Sequence, residues 1–143
     1  MKTYDNQWHE WPLRVYYEDT DAEGVVYFAN YLKFMERGRT EWLRAHGVEQ
    51  DQLRAAQGLC FVVTETDLRF RLPARFNDQL VVCTSLTDFG RARFGLEQNI
   101  HRAAGRELLV SSRCVAACVD FETFRPRRMP PALHATLAGE SLT

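Results

Sequence analysis

The chain has no CxxC pair, no HExxH and no G-x-S-x-G stretch, and its four cysteines and four histidines stand singly. His9, His46, His101 and His134 lack metal-ligand spacing, so metal catalysis finds no support and no metal site is expected. Cys60, Cys83, Cys114 and Cys118 sit inside apolar stretches and read as buried, reduced thiols that behave as small hydrophobes. "Ser111-Ser112" offers hydroxyls, but without a nucleophile elbow a serine hydrolase is excluded. Long apolar runs are missing too. "GLCFVV" and "CVAACV" fall far short of the roughly 20 residues of a membrane-spanning helix. The N-terminus, "MKTYDNQWHEWP", has no apolar core ahead of a small-residue cleavage site, so it is not a secretory signal and the expected location is the cytoplasm. Neither sign of charge dominates. With 18 basic and 19 acidic residues the net charge is -1, which offers nothing to nucleic acid or an anionic membrane surface.

What is present is the make-up of a soluble globular protein, 45% hydrophobic and 26% charged. At 143 residues, with no repeat, linker or low-complexity stretch, it reads as one domain over 1–143. "PLRVYYE" (12–18) predicts a first strand. A helix follows, with Asn30 as N-cap and Gly47 as stop. Tyr31, Phe34, Met35, Gly38, Trp42 and Ala45 fall on one face of it, widened by Leu32 and Leu43. Glu36, Arg37, Arg39, Glu41 and Arg44 mark its wetter side, Glu36 and Glu41 reading as salt-bridge partners of nearby arginines. A short helix, "EQDQLRAAQ", ends at Gly58. Four strands come next: "LCFVVTETDLRFR", "DQLVVCTSLTDF", "ARFGLEQNIHR" and "RELLVSSRCVAACVDF". In the third, Leu96, Gln98 and Ile100 share one face, opposite Glu97 and Asn99. The turns between them are too short for helical crossovers, so the sheet should be antiparallel. A last short helix is expected around Ala132–Leu137. One long helix on one antiparallel sheet is an α+β layer arrangement, and pairing with a second copy is one way to protect the sheet's edges.

One stretch does not fit a plain surface turn. "DTDAEGVVYFANY", residues 19 to 31, sets Asp19 and Asp21 directly before the chain buries itself again. Asp21 is either a turn acid capping local N–H groups or a carboxylate held against a pocket for chemistry.

Residues 11 to 47, "WPLRVYYEDTDAEGVVYFANYLKFMERGRTEWLRAHG", resemble the YbgC-like, Tol–Pal-associated acyl-CoA thioesterases and, more distantly, 4-hydroxybenzoyl-CoA thioesterase. The similarity continues through "LPARFNDQLVV" to "RPRRMP". It implies a hotdog fold, a curved five-stranded antiparallel sheet wrapped around the long helix, in a homodimer or homotetramer with active sites at the subunit interface. It also implies hydrolysis of acyl-CoA to free acid and CoA without a further cofactor, CoA being part of the substrate. Asp21 matches the family's catalytic carboxylate, as nucleophile or general base, while Asp19 takes a structural place. Gly24 allows the tight turn. The segment through Val25, Tyr27, Phe28 and Tyr31 would position the substrate, with backbone N–H groups at the helix start polarising its carbonyl. YbgC-like enzymes commonly read "GVVYHANY"; here Phe28 stands in place of that His and makes the pocket wall more apolar. Glu23, where relatives usually have a small residue, reads as exposed turn. Arg91, Arg93, Arg127 and Arg128 match the regions that hold CoA phosphates. Glu65 is the second-choice catalytic acid, since another hotdog lineage places its carboxylate across the cleft. The alternative to an enzyme is a catalytically weak protein that binds acyl groups or acyl carrier protein.

Overall fold

The computed structural model describes residues 7–139. Its elements are β1 (His9–Arg14), a 3₁₀ turn (Tyr17–Asp19), α1 (Asn30–Ala45), α2 (Gln50–Gln57), β2 (Leu59–Phe70), β3 (Gln79–Phe89), β4 (Arg93–Arg102), β5 (Leu108–Asp120) and α3 (Pro131–Leu137). The strands form one antiparallel sheet in the order β1-β3-β4-β5-β2, so β1 and β2 are its edges. This is the hotdog arrangement that the sequence resemblance implied.

The first strand lies earlier than expected, at His9–Arg14 rather than 12–18. Beyond Arg14 the backbone stops laddering because Asp19 captures it. The Tyr16 N–H donates to Asp19 Oδ2 (2.8 Å), and the Asp19 N–H returns to the Tyr16 carbonyl (3.0 Å). Asn30 is the first residue of α1 and not its cap. Ala29 precedes the helix in αR conformation, and the Asn30 amide is drawn instead to the Asp19 carbonyl (2.9 Å). Gly47, at φ +80°, stops α1 as expected.

Helix α1 buries Tyr31, Phe34, Met35, Gly38, Trp42 and Leu43, the predicted stripe, whereas Leu32 and Ala45 are exposed. On its wet side Glu41 pairs with Arg44, but Glu36 accepts the Thr40 hydroxyl (3.3 Å) and no arginine. In β4 the predicted alternation holds, with Leu96, Gln98 and Ile100 buried beneath the helix. Cys83, Cys114 and Cys118 are buried free thiols, pushed up in pKa by that burial, and Cys60 is half-buried.

Gly38 sets the distance between the layers. A Cβ there would lie 2.5 Å from Val82 Cγ1 and 3.2 Å from Gln98 Nε2. Gln98 is fully buried yet satisfied: its amide donates to the Met35 carbonyl (2.9 Å) and Thr84 Oγ1 (3.0 Å), and its oxygen accepts from Arg39 Nη1 (3.0 Å). Gly38→Ala would gain about 1 kcal/mol of helix propensity but overpack the interface at a cost of about 1–3 kcal/mol. Overpacking wins, because the clash is with a buried side chain under the centre of the helix. Chemical denaturation of Gly38→Ala is expected to show a lower midpoint at unchanged slope; an unchanged or raised midpoint refutes the close-contact account.

Candidate active site

The chain between β1 and α1 folds back on itself in a corner that Asp19 knits together. Asp19 is only 8% exposed. Besides accepting the Tyr16 N–H on its carboxylate, it accepts the Tyr27 N–H (2.9 Å) and the Asn30 amide on its carbonyl. Asp21 lies in the exposed turn that this corner projects. Its N–H reaches the Val25 carbonyl (2.9 Å), and its carbonyl accepts from Gly24 (3.0 Å), whose φ of +81° an L side chain rarely adopts. Asp21 Oδ1 accepts the Glu23 N–H (2.8 Å), so the turn-acid geometry is present, with Glu23 exposed beside it. The bridge Thr20↔Val26 closes the turn, and Val25↔Arg75 pins it to the loop leading into β3.

At the start of α1, the N–H groups of Asn30, Tyr31 and Leu32 are taken by the carbonyls of Tyr27, Phe28 and Ala29. Those of Phe28 and Ala29 have no acceptor among the described residues. They stand at the positive end of the helix dipole. The Phe28 ring is 60% exposed and packs edge-on to Phe70 (6.2 Å between centroids) and beside Tyr27 (4.9 Å). Tyr31 is 3% exposed; its hydroxyl accepts the Ala74 N–H (3.0 Å), and burial pushes its pKa up. Phe28, Tyr31, Phe70 and Leu72 line a largely apolar cavity of about 250 Å³ at this helix end. Phe70 and Leu72 escaped the sequence reading, although large apolar residues at the charged end of β2 were a usable signal.

The other candidates lie elsewhere. Glu65 follows a bulge between Val63 and Glu65 and pairs with Val115, which turns its side chain to the sheet face away from α1. In one chain it is therefore not brought together with Asp21. The segments that carry the four arginines meet at one end of the sheet. The Met129 N–H donates to the Arg91 carbonyl (3.0 Å), the Arg127 N–H to Cys118 (2.9 Å), and the Cys118 N–H to Ala92 (2.7 Å). The turn before β4 and the segment after β5 are thereby stitched to one end of the sheet. Arg91, Arg93 and Arg128 are exposed there. Arg127 is engaged, donating to the Gln57 carbonyl (3.1 Å) and Asp120 (3.3 Å). Backbone N–H groups of Thr123 and Glu122, with Arg127 adding to them, hold the half-buried Asp120 carboxyl below its ordinary pKa. Asp21 adjoins the start of β3 and the arginines its far end, roughly 35 Å apart at the rise of an eleven-residue strand. Among the described residues no cluster of His, Cys, Asp or Glu is placed to hold a metal, and no helix is long and apolar enough to cross a membrane.

The hotdog scaffold thus carries a carboxylate turn, open N–H groups at a helix start and an apolar cavity at the same helix end. Residues 15–137 match the thioesterase-like superfamily, and the chain belongs to it, within the YbgC group. It is 41% identical over 125 residues to the acyl-CoA thioester hydrolase YbgC of Escherichia coli, covering 87% of this chain and 92% of that one. The acyl-CoA thioesterase YbgC of Haemophilus influenzae is likewise 41% identical, over 87% and 90% of the two chains. A probable thioesterase from Bartonella henselae superposes with a TM-score of 0.82 at 37% identity, over 87% of this chain and all of that one.

The two aspartates separate in their roles. Asp19→Ala is expected to destabilise by about 0.5–2 kcal/mol, because the Tyr16 N–H loses its carboxylate acceptor while the bonds to the Asp19 carbonyl stay. Asp21→Asn, in an exposed turn, should leave thermal melting nearly unchanged. Equal melting shifts for the two variants would contradict this division.

Proposed function

We propose that the protein is an acyl-CoA thioesterase in which Asp21 acts on the thioester carbon. The observation that carries this reading is the Asp21 turn set beside unengaged N–H groups at the start of α1, over an apolar cavity. The carbonyl oxygen takes those N–H donors as it gains negative charge, and they are already oriented by the corner around Asp19. The Asp21 carboxylate then attacks the carbon, releasing CoA as thiolate and leaving a mixed anhydride that water cleaves, or it takes a proton from an attacking water. Either route regenerates Asp21 and yields free acid and CoA, with no cofactor beyond the CoA of the substrate. Cytoplasmic acyl-CoA is the proposed pool.

A homodimer is part of the proposal, on geometric grounds. One chain leaves Asp21 and the arginine cluster at opposite ends of its sheet. β2 is an open edge, and antiparallel pairing of two β2 edges about a two-fold turns the second sheet end for end. The arginines of one copy, adjoining the start of its β2 through Arg127 and Gln57, then come to the Phe70 end of the other. Phosphates held by Arg91, Arg93, Arg127 and Arg128 would thus belong to CoA cleaved at the neighbour's Asp21. Pairing of two such dimers would give a tetramer.

The Glu23 N–H bond to Asp21 favours a second reading, a catalytically weak protein that binds acyl groups or acyl carrier protein. Thiol release from acyl-CoAs spanning short, long and aromatic acyl groups separates the two. Hydrolysis that falls about 100-fold or more in Asp21→Ala and Asp21→Asn is the expected result. Activity that survives both substitutions removes Asp21 and brings Glu65 forward, and no activity at all leaves the binding protein. The composite site has its own test. Asp21→Asn chains mixed and refolded with Arg127→Ser/Arg128→Ser chains should recover about one quarter of the wild-type sites, since each mixed dimer holds one intact pair. Absence of recovery would place both functions within one chain.

A further inference from the structure

A second cavity of about 250 Å³ lies between α1, the start of α2 and the sheet, with Trp42, Phe61, Phe94 and Leu96 on its apolar side and Glu36 and Arg39 on its polar wall. An apolar cavity of about 150 Å³ accepts a benzene molecule, so this one has room for a single ring or a short alkyl segment.

Arg39 is the unusual group in it. The guanidinium is half-buried and held from behind, Nη1 donating to the Gln98 oxygen (3.0 Å), with the Cys114 thiol beside it. Gln98 cannot turn away, because its amide hydrogens are committed to Met35 and Thr84. Among the described residues no carboxylate comes within ion-pair distance of Arg39. Of its five N–H donors, several remain for a ligand. Glu36 shares the wall, which makes the pair of side chains neutral in sum and disfavours a full negative charge. A group that accepts from Arg39 and donates to a carboxylate suits both, and a hydroxyl is the simplest. The position suits the far end of an acyl chain: from Asn30 to Arg39 the helix advances roughly 14 Å, away from the N–H groups at its start.

Resting on the acyl-CoA reading above, we infer that this chamber seats the distal part of the acyl group and that Arg39 reads an oxygen there, selecting acyl groups hydroxylated at the far end over unsubstituted ones.

The test compares kcat/KM for hexanoyl-, ω-hydroxyhexanoyl- and adipoyl-CoA, and for their ten-carbon counterparts, in wild type and Arg39→Met. At the length that reaches the chamber, wild type is expected to favour the ω-hydroxy ester. In Arg39→Met the ratio of hydroxylated to unsubstituted ester should fall about 10- to 100-fold, the worth of one hydrogen bond to a charged group. A merely structural role would lower both esters alike and leave the ratio standing. Preference for the unsubstituted chain, or a ratio unchanged in Arg39→Met, overturns the inference; preference for adipoyl-CoA overturns the hydroxyl in favour of a carboxylate. Arg39→Gln, which keeps a donor for Gln98, replaces the Met variant if that one does not fold. If no ester is cleaved, it is the acyl-CoA hydrolase reading that fails, and dissociation constants of the same esters in the same variants then decide the role of Arg39.

Discussion

The contact of Gly38 with Val82 and Gln98 is the constraint on which the rest of the molecule depends. Without a side chain at that position α1 settles directly on β3 and β4, and the neighbouring turns of the helix carry Phe34, Met35 and Trp42 into the core. The same closeness puts a fully buried glutamine against the helix backbone, where its amide takes the Met35 carbonyl. Arg39, the next residue along the helix, inherits its position from that amide. One absent methyl group therefore fixes both the packing and the polar wall of the chamber beside it.

Anchored at its middle, the helix presents its first turn at one end of the sheet, and the corner around Asp19 fits against it. That corner is built almost wholly from hydrogen bonds to one residue's carboxylate and carbonyl. It has to be rigid, because an exposed turn carrying a carboxylate has no packing of its own to hold it. The opposite end of the sheet is organised differently, with the turn before β4 and the segment after β5 stitched to the last residues of β5 and carrying the four arginines. A single chain thus separates its acidic and basic ends by the length of a strand and leaves the β2 edge open.

Much of this was legible in the sequence where spacing alone decides. The stripe Tyr31, Phe34, Met35, Gly38 and Trp42 reads as one buried face because helical period is local, and β4 alternates because one of its faces is covered. The misplacements occurred where a side chain competes with the backbone ladder. β1 ends early because Asp19 takes the Tyr16 N–H, and Asn30 fails as a cap because Asp19 takes its amide. Neither competition shows in propensity, since both partners are polar residues that a turn would welcome. The face that Glu65 meets was hidden for a related reason: a single bulged residue reverses which face the following side chains meet, and a period-two pattern carries no mark of it. Arg127 is easily read as a free cation; its bond to Asp120 depends on the path of the chain after β5.

The donors at the start of α1 belong to the main chain of residues 28 and 29. Every residue except proline supplies the same N–H, whatever its side chain. The wall above those donors can accordingly be remodelled, as by a phenylalanine at 28, without disturbing the N–H groups themselves. In the proposed reaction, recognition of the acyl group and polarisation of its carbonyl would fall to different parts of the same residues. In such a scaffold the side chains of the wall can be exchanged while the backbone of the corner is passed on intact.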